Sequence, residues 1–90
     1  MKKTIITVVG HDTVGIIAKV CTYLAENNIN ILDISQTIVQ EYFNMMMIVD
    51  YGKMEKEFLV AANELEVLGE SIGVIIKVQR EDIFDMMHRI

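Results

Sequence analysis

The sequence predicts an α+β fold, a four-stranded antiparallel sheet with two helices on one face plus a short C-terminal helix. Three observations predict it. The hydrophobic period switches between that of a strand and that of a helix, in the order strand, helix, strand, strand, helix, strand. The two middle strands are joined by a connection short enough for a hairpin. Ninety residues with no proline leave room for one domain, taken as residues 1–90, and for no linker.

Residues 3–9 are β-branched and apolar on both faces, as a central strand requires. The turn Gly10-His11-Asp12-Thr13 then leads into a helix in which Ile17, Val20, Cys21 and Leu24 form the expected buried stripe, ended by Asn27-Asn28. Residues 30–40 alternate Leu32, Ile34 and Ile38 against Asp33, Ser35 and Thr37, which suits an edge strand. Residues 42–50 form the return strand after a turn at Gln40-Glu41 that lacks the favoured Asn-Gly pair. From Met54 to Ser71 the helical period returns, with Phe58, Leu59, Ala62, Leu65 and Leu68 on one face and Gly69 and Gly73 as stop signals. A last strand runs from Val74 to Gln79. After it, Asp82 and Asp85 can cap a short helix over about 82–90, with Ile83, Met86, Met87 and Ile90 along one side. Two right-handed crossovers around a central hairpin give the split-βαβ, ferredoxin-like arrangement.

Composition narrows the function. The hydrophobic share of 52% exceeds what one small core hides comfortably, so a buried partner surface, a homodimer first of all, is expected. That surplus falls on the edge strands, the open sheet face, and the apolar side of the final helix, which is expected to fold onto its own sheet or its dimer mate. The net charge is −5 and the basic residues are scattered, which argues against nucleic acid and anionic membrane alike. Lys2-Lys3 followed by Thr4–Val9 is too short a run for a secretory leader. The single Cys21 makes neither an internal disulfide nor a zinc site, and it falls on the first helix's apolar stripe. The expected address is cytoplasmic, and no cofactor is expected.

The informative segment is Gly10-His11-Asp12-Thr13-Val14-Gly15-Ile16. It joins a central strand to a helix start, where several backbone N–H groups lack partners and a carboxylate or phosphate is attracted. Gly10 is read as a position of unusual backbone angles, Gly15 as a place of close approach, and Asp12 or Thr13 as the helix cap. His11 lies in this loop, either against a ligand or simply in solvent. Read from spacing alone, the segment is also an ordinary glycine-rich turn, and it is neither a P-loop nor a dinucleotide fingerprint.

This segment, followed by Asn28-Ile29-Asn30-Ile31-Leu32-Asp33-Ile34-Ser35-Gln36, resembles the ACT domain family over roughly Thr4 to Gln79. The likeness is greatest to stand-alone bacterial ACT proteins and extends to the ACT halves of the glycine cleavage system transcriptional repressor. The resemblance implies a regulatory module that binds amino acids or similar small molecules, usually across a dimer interface. Its ligand loop maps onto Gly10, Asp12 and Gly15, and its second contact segment onto Asn30 and Ile31. Between the aspartate and the glycine, where many members carry a basic residue and a proline, this chain has Thr13-Val14.

Rival activities lack their residues. An acylphosphatase-like site wants an arginine near the first loop, and none lies between Lys3 and Lys53. A metal chaperone of this fold wants C-x-x-C, and an RNA-binding version wants paired strand aromatics. No nucleophile–base pair stands out, so no catalysis is expected. Met45-Met46-Met47 reads as core filler and Glu55, Glu57, Glu64, Glu66 and Glu70 as the solvated face of the second helix. Against the ligand-binding reading stands a ligand-free interaction module of the same fold, with a protein target as partner.

Overall fold

A computed structural model describes residues 2–11 and 13–79. The elements are β1 (Lys3–His11), α1 (Ile16–Glu26), β2 (Asn30–Val39), β3 (Tyr42–Asp50), α2 (Phe58–Ile72) and β4 (Val74–Gln79). They form one antiparallel sheet in the order β2-β3-β1-β4, the arrangement expected of a ferredoxin-like fold. Asp12 and the expected final helix at about 82–90 lie outside the described residues.

The alternation of each strand sorts side chains between a helix-covered face and an open one. Ile6 and Val8 of β1, Phe43, Met45, Met47 and Val49 of β3, and Val74 and Ile76 of β4 are all buried. They pack with Ile16, Val20 and Leu24 of α1 and Leu65 of α2 in one core. Met45 and Met47 therefore fill the core as expected, whereas Met46 between them is exposed.

Two helix faces differ from the sequence reading. In α1 the buried line is Ile16–Val20–Leu24, with Ile17 exposed and Cys21 only partly buried. The helix starts at Ile16, and steps of four residues keep that line on the sheet, while Ile17 and Cys21 lie about 100° round it. In α2 the buried line is Ala61–Leu65–Gly69; Phe58, Ala62 and Leu68 flank it and Leu59 is exposed. Gly69 is a packing residue, not a stop signal. A Cβ there would lie 2.8 Å from the Val74 carbonyl oxygen, so its absence lets α2 settle on β4. Gly73, at φ 79°, does end the helix.

β2 is the edge strand anticipated, with Asp33, Ser35 and Thr37 on the open face opposite Ile48, Met46 and Asn44. A bulge between Ile31 and Asp33 steps the register at Leu32. Beyond it Ile34 and Ile38 face the helix side, but no helix reaches them, and they are 44% and 57% exposed. The β2–β3 turn has both central residues left-handed, Gln40 at φ 50° and Glu41 at φ 74°, as the twist of a two-residue hairpin demands.

One charged cluster ties the helices together. The Tyr23 hydroxyl donates to Glu64 Oε1 at 2.7 Å, and Lys56 Nζ reaches the same oxygen at 2.6 Å. Glu64 thus belongs to an interhelical contact instead of a merely solvated face. Its carboxyl is held below the usual range, first by the Lys56 hydrogen bond and then by that of Tyr23. Burial, followed by the Glu64 hydrogen bond, pushes the Tyr23 phenol up.

Two outcomes are expected. Glu41→Gly relieves a left-handed penalty of about 1–2 kcal/mol and adds roughly half that in unfolded-chain entropy. Chemical denaturation should therefore show a net stabilisation of up to about 1 kcal/mol. Because the folded state lowers the Glu64 pKa, its contribution is present above 4.5 and lost as pH falls through the folded value. The difference in melting temperature between the wild type and Glu64→Gln should shrink on acidification below pH 4.5.

Candidate functional site

The loop between β1 and α1 is built differently from its sequence reading. Gly10 and His11 are not turn residues but the last pairs of β1, with Gly10 opposite Phe43 and Val74 and His11 opposite Tyr42. Gly10 is required by space, not by backbone angle: a Cβ would lie 2.8 Å from Val74 Cγ1 and 3.0 Å from Val74 Cα. The His11 ring stacks on Tyr42 with centroids 4.7 Å apart. Both rings are exposed.

Gly15, not Thr13, is the N-cap of α1, at φ 93° and ψ 0°. The Thr13 hydroxyl instead donates back to the His11 carbonyl at 3.2 Å, which shapes the loop without touching the helix amides. The helix end is therefore bare among the described residues: no side chain caps it and no acidic residue occupies its first turn. The Ile16 N–H reaches the Thr13 carbonyl at a long 3.5 Å, and Lys19 N–H bonds Gly15 O at 3.0 Å. Between them the N–H groups of Ile17 and Ala18 are the donors a helix start leaves over. A Cβ on Gly15 would meet nothing within 4 Å. Val14, an apolar residue at the loop tip, is wholly exposed at 101%.

Asn30 and Ile31 lie elsewhere. Asn30 begins β2 opposite Asp50, which pairs on its other side with Lys3, whereas the loop leaves β1 beyond His11. The nine residues of β1 separate the two segments along the sheet, roughly 25 Å at the rise of an antiparallel strand. Within one chain the loop and Asn30 therefore do not meet. They occupy opposite ends of the molecule.

Two surface grooves are elsewhere too. One lies between the helices beside Tyr23 and Leu68, and another beside Asn28 and Lys56. Neither touches the loop. Among the described residues no helix is long and apolar enough to cross a membrane.

Comparison with known proteins is informative at this point. The family model of the ACT domain matches residues 2–79. A UPF0237 protein of Bifidobacterium longum is 64% identical over 90 residues, the full length of both chains. The solved ACT domain protein from Streptococcus pneumoniae is 44% identical, covers 92% of this chain and 93% of its own, and superposes with a TM-score of 0.81. A candidate glycine cleavage system transcriptional repressor shares the fold, with a TM-score of 0.73 at 22% identity over 88% of this chain and 45% of its own.

The two loop glycines should respond differently to substitution. Gly10→Ala forces a methyl group into the Val74 backbone and should destabilise by about 1–3 kcal/mol. Gly15→Ala meets no atom and carries only the left-handed penalty, about 1 kcal/mol after the unfolded-chain entropy is counted. Urea titration of the two variants should rank Gly10→Ala as the more damaging, with the lost protection from hydrogen exchange centred on β4.

Proposed function

The chain belongs to the ACT domain family, and from that premise we propose that it is a non-catalytic, cytoplasmic regulatory domain binding an amino acid or similar small molecule at a homodimer interface. The observation that carries the reading is the first turn of α1, uncapped by any side chain among the described residues, behind a left-handed Gly15. A free carboxylate there gains from the helix dipole and from hydrogen bonds that its charge strengthens, the latter about 1.5–3 kcal/mol each. Gly10, His11, Asp12, Thr13, Val14 and Gly15 frame this end of the site.

The other end comes from a second copy. A two-fold axis beside β2 makes the two edge strands antiparallel. It would carry Asn30 and Ile31 of the partner subunit from the far end of the sheet to the level of the loop. The Asn30 side-chain carbonyl is then available to an ammonium group. The unpaired edge of β2 and its uncovered Ile34 and Ile38 support this seam, for an exposed edge strand invites pairing. Burying the remainder of each isoleucine is worth on the order of 1 kcal/mol. A single free cysteine, the partly buried Cys21, is compatible with the reducing cytoplasm.

The experiment separates binding from folding. Ala18→Glu places a carboxylate beside the open amides, where it favours the helix and opposes a ligand carboxylate. In thermal-shift and calorimetric titrations with the twenty amino acids, the wild type should respond to at least one. Ala18→Glu and Asn30→Ala should each weaken that response about tenfold or more, a loss of about 1.4 kcal/mol, without a fall in the unliganded melting temperature for Ala18→Glu. Mixing the two variants in equal amounts should restore about a quarter of all sites, because half of the dimers are then mixed and one of the two sites of each mixed dimer has both elements intact. Silence across all twenty amino acids overturns ligand binding in favour of the interaction module. Binding unaltered by both variants overturns this placement.

A further inference from the structure

The outer side of the helix layer, away from the sheet, carries a self-complementary pattern. The charged residues of α1 are Lys19 and Glu26 alone. Both are exposed, and they stand seven residues apart on one face, with Thr22 between them. Seven residues is close to two helical turns, about 10 Å of rise, so the two charges do not meet within the helix. Each also sits at the unfavourable end. The cation lies near the N-terminus of α1 and the carboxylate is its last residue, where the helix dipole opposes both. Among the described residues neither has an ion-pair partner, since the salt bridge found there joins Lys56 and Glu64.

α2 repeats the spacing with apolar residues. Val60 and Val67 lie away from its buried line Ala61–Leu65–Gly69 and are 44% and 56% exposed. A groove between the helices, lined by Lys19, Thr22, Tyr23 and Glu26 of α1 and Leu68 of α2, joins the two patterns into one surface. Their midpoints are level. The midpoint of Lys19 and Glu26 falls between Thr22 and Tyr23, and that of Val60 and Val67 between Asn63 and Glu64. The Tyr23 hydroxyl donates to Glu64 across that level at 2.7 Å. The strand pairing makes α1 run from the His11 end of the sheet to the Asn30 end, and α2 the reverse. One two-fold axis crossing both helices there sets Lys19 against Glu26 of a second copy and Val60 against its Val67, each contact occurring twice.

We infer that a second copy of this chain docks on the helix layer about that axis, each helix against its antiparallel equivalent. Lys19 then lies beside the C-terminus of the other α1 and Glu26 beside its N-terminus. Charges that work against their own helix thus favour its neighbour. The two Glu64 carboxylates nearest the axis are each already paired with Lys56. Two helices of this length present a footprint of roughly 20 by 20 Å. That is below the roughly 800 Å² per partner of a standard interface, so the contact is a reversible one. It uses none of the β2 edge and does not depend on the amino-acid site.

Sedimentation equilibrium tests the pairing, with Ile38→Lys in every chain to place a charge on the β2 edge, so that the remaining association belongs to the helix layer. Lys19→Glu and Glu26→Lys each set like charges against one another and should raise the dissociation constant about tenfold. Both reversals suit the dipole of their own helix, so far-UV circular dichroism should show the helices intact. The doubly reversed chain, Lys19→Glu with Glu26→Lys, re-forms both pairs in the opposite sense and should recover the starting association within about threefold. Association indifferent to either single reversal overturns the inference, and so does a double variant no better than the singles. A chain that stays monomeric at millimolar concentration before any reversal overturns it as well.

Discussion

Two right-handed crossovers can cover only one face of this four-stranded sheet, and the rest of the molecule answers to that constraint. The helices meet the sheet over β3, β1 and β4, which are apolar on that side along most of their length. What they do not reach is fixed at the same stroke: the outer edge of β2, the open face, and the loop where β1 hands over to α1. These uncovered surfaces explain why a chain of 90 residues is 52% hydrophobic. The surplus is not misplaced core. Part of it sits on Ile34, Ile38, Val9, Met46 and Ile75, where topology leaves the sheet without a layer, and part on the outer helix faces at Leu59 and Val67 and on the loop at Val14.

The same constraint gives each loop glycine a separate task. Gly10 keeps the β1–β4 seam tight at its upper end, since a side chain there would collide with Val74. That seam in turn fixes the direction in which the chain leaves β1. Gly15 turns the chain through the left-handed region so that, among the described residues, the helix begins without a capping side chain. A threonine or aspartate cap would have filled one of the open amides. The glycine cap is weaker for stability, and among the described residues it leaves the helix-start donors without a side-chain partner.

Much of the fold was legible in the sequence. The strand and helix order followed from the change of hydrophobic period, and the last strand begins at Val74 as the sequence indicates. The identity of the buried helix faces was less legible. Ile16 and Ile17 are both apolar, and so are Leu59 and Ala61; only the tertiary position of the helix start decides which of the neighbours points inward. The β2–β3 turn carried no signal, since Gln40 and Glu41 are poor left-handed residues held there by nine paired positions behind them. In the loop the glycines were rightly singled out, but their reasons were interchanged. Gly10 looked like a turn because glycine usually marks one, while its partners across the strands are visible only once β1, β3 and β4 are paired. Likewise, the separation of Asn30 from the loop is invisible in sequence, where the two segments stand close together.

That separation bears on how a domain of this kind could signal at all. A ligand shifts an equilibrium only by its difference in affinity between two states. A site complete within one chain would bind with nearly equal strength whether the chain is alone or paired, and would therefore report nothing through association. A site whose halves lie at opposite ends of the sheet is incomplete in the monomer. The differential affinity is then built into the geometry, and occupancy and pairing are linked reciprocally. On the proposed reading, binding tightens the β2 seam, and a tightened seam raises affinity for the ligand, with no rearrangement inside either chain. The thin apolar strip of Ile34 and Ile38 suits such a switch, because a seam held by a few kilocalories is one that a small zwitterion can tip.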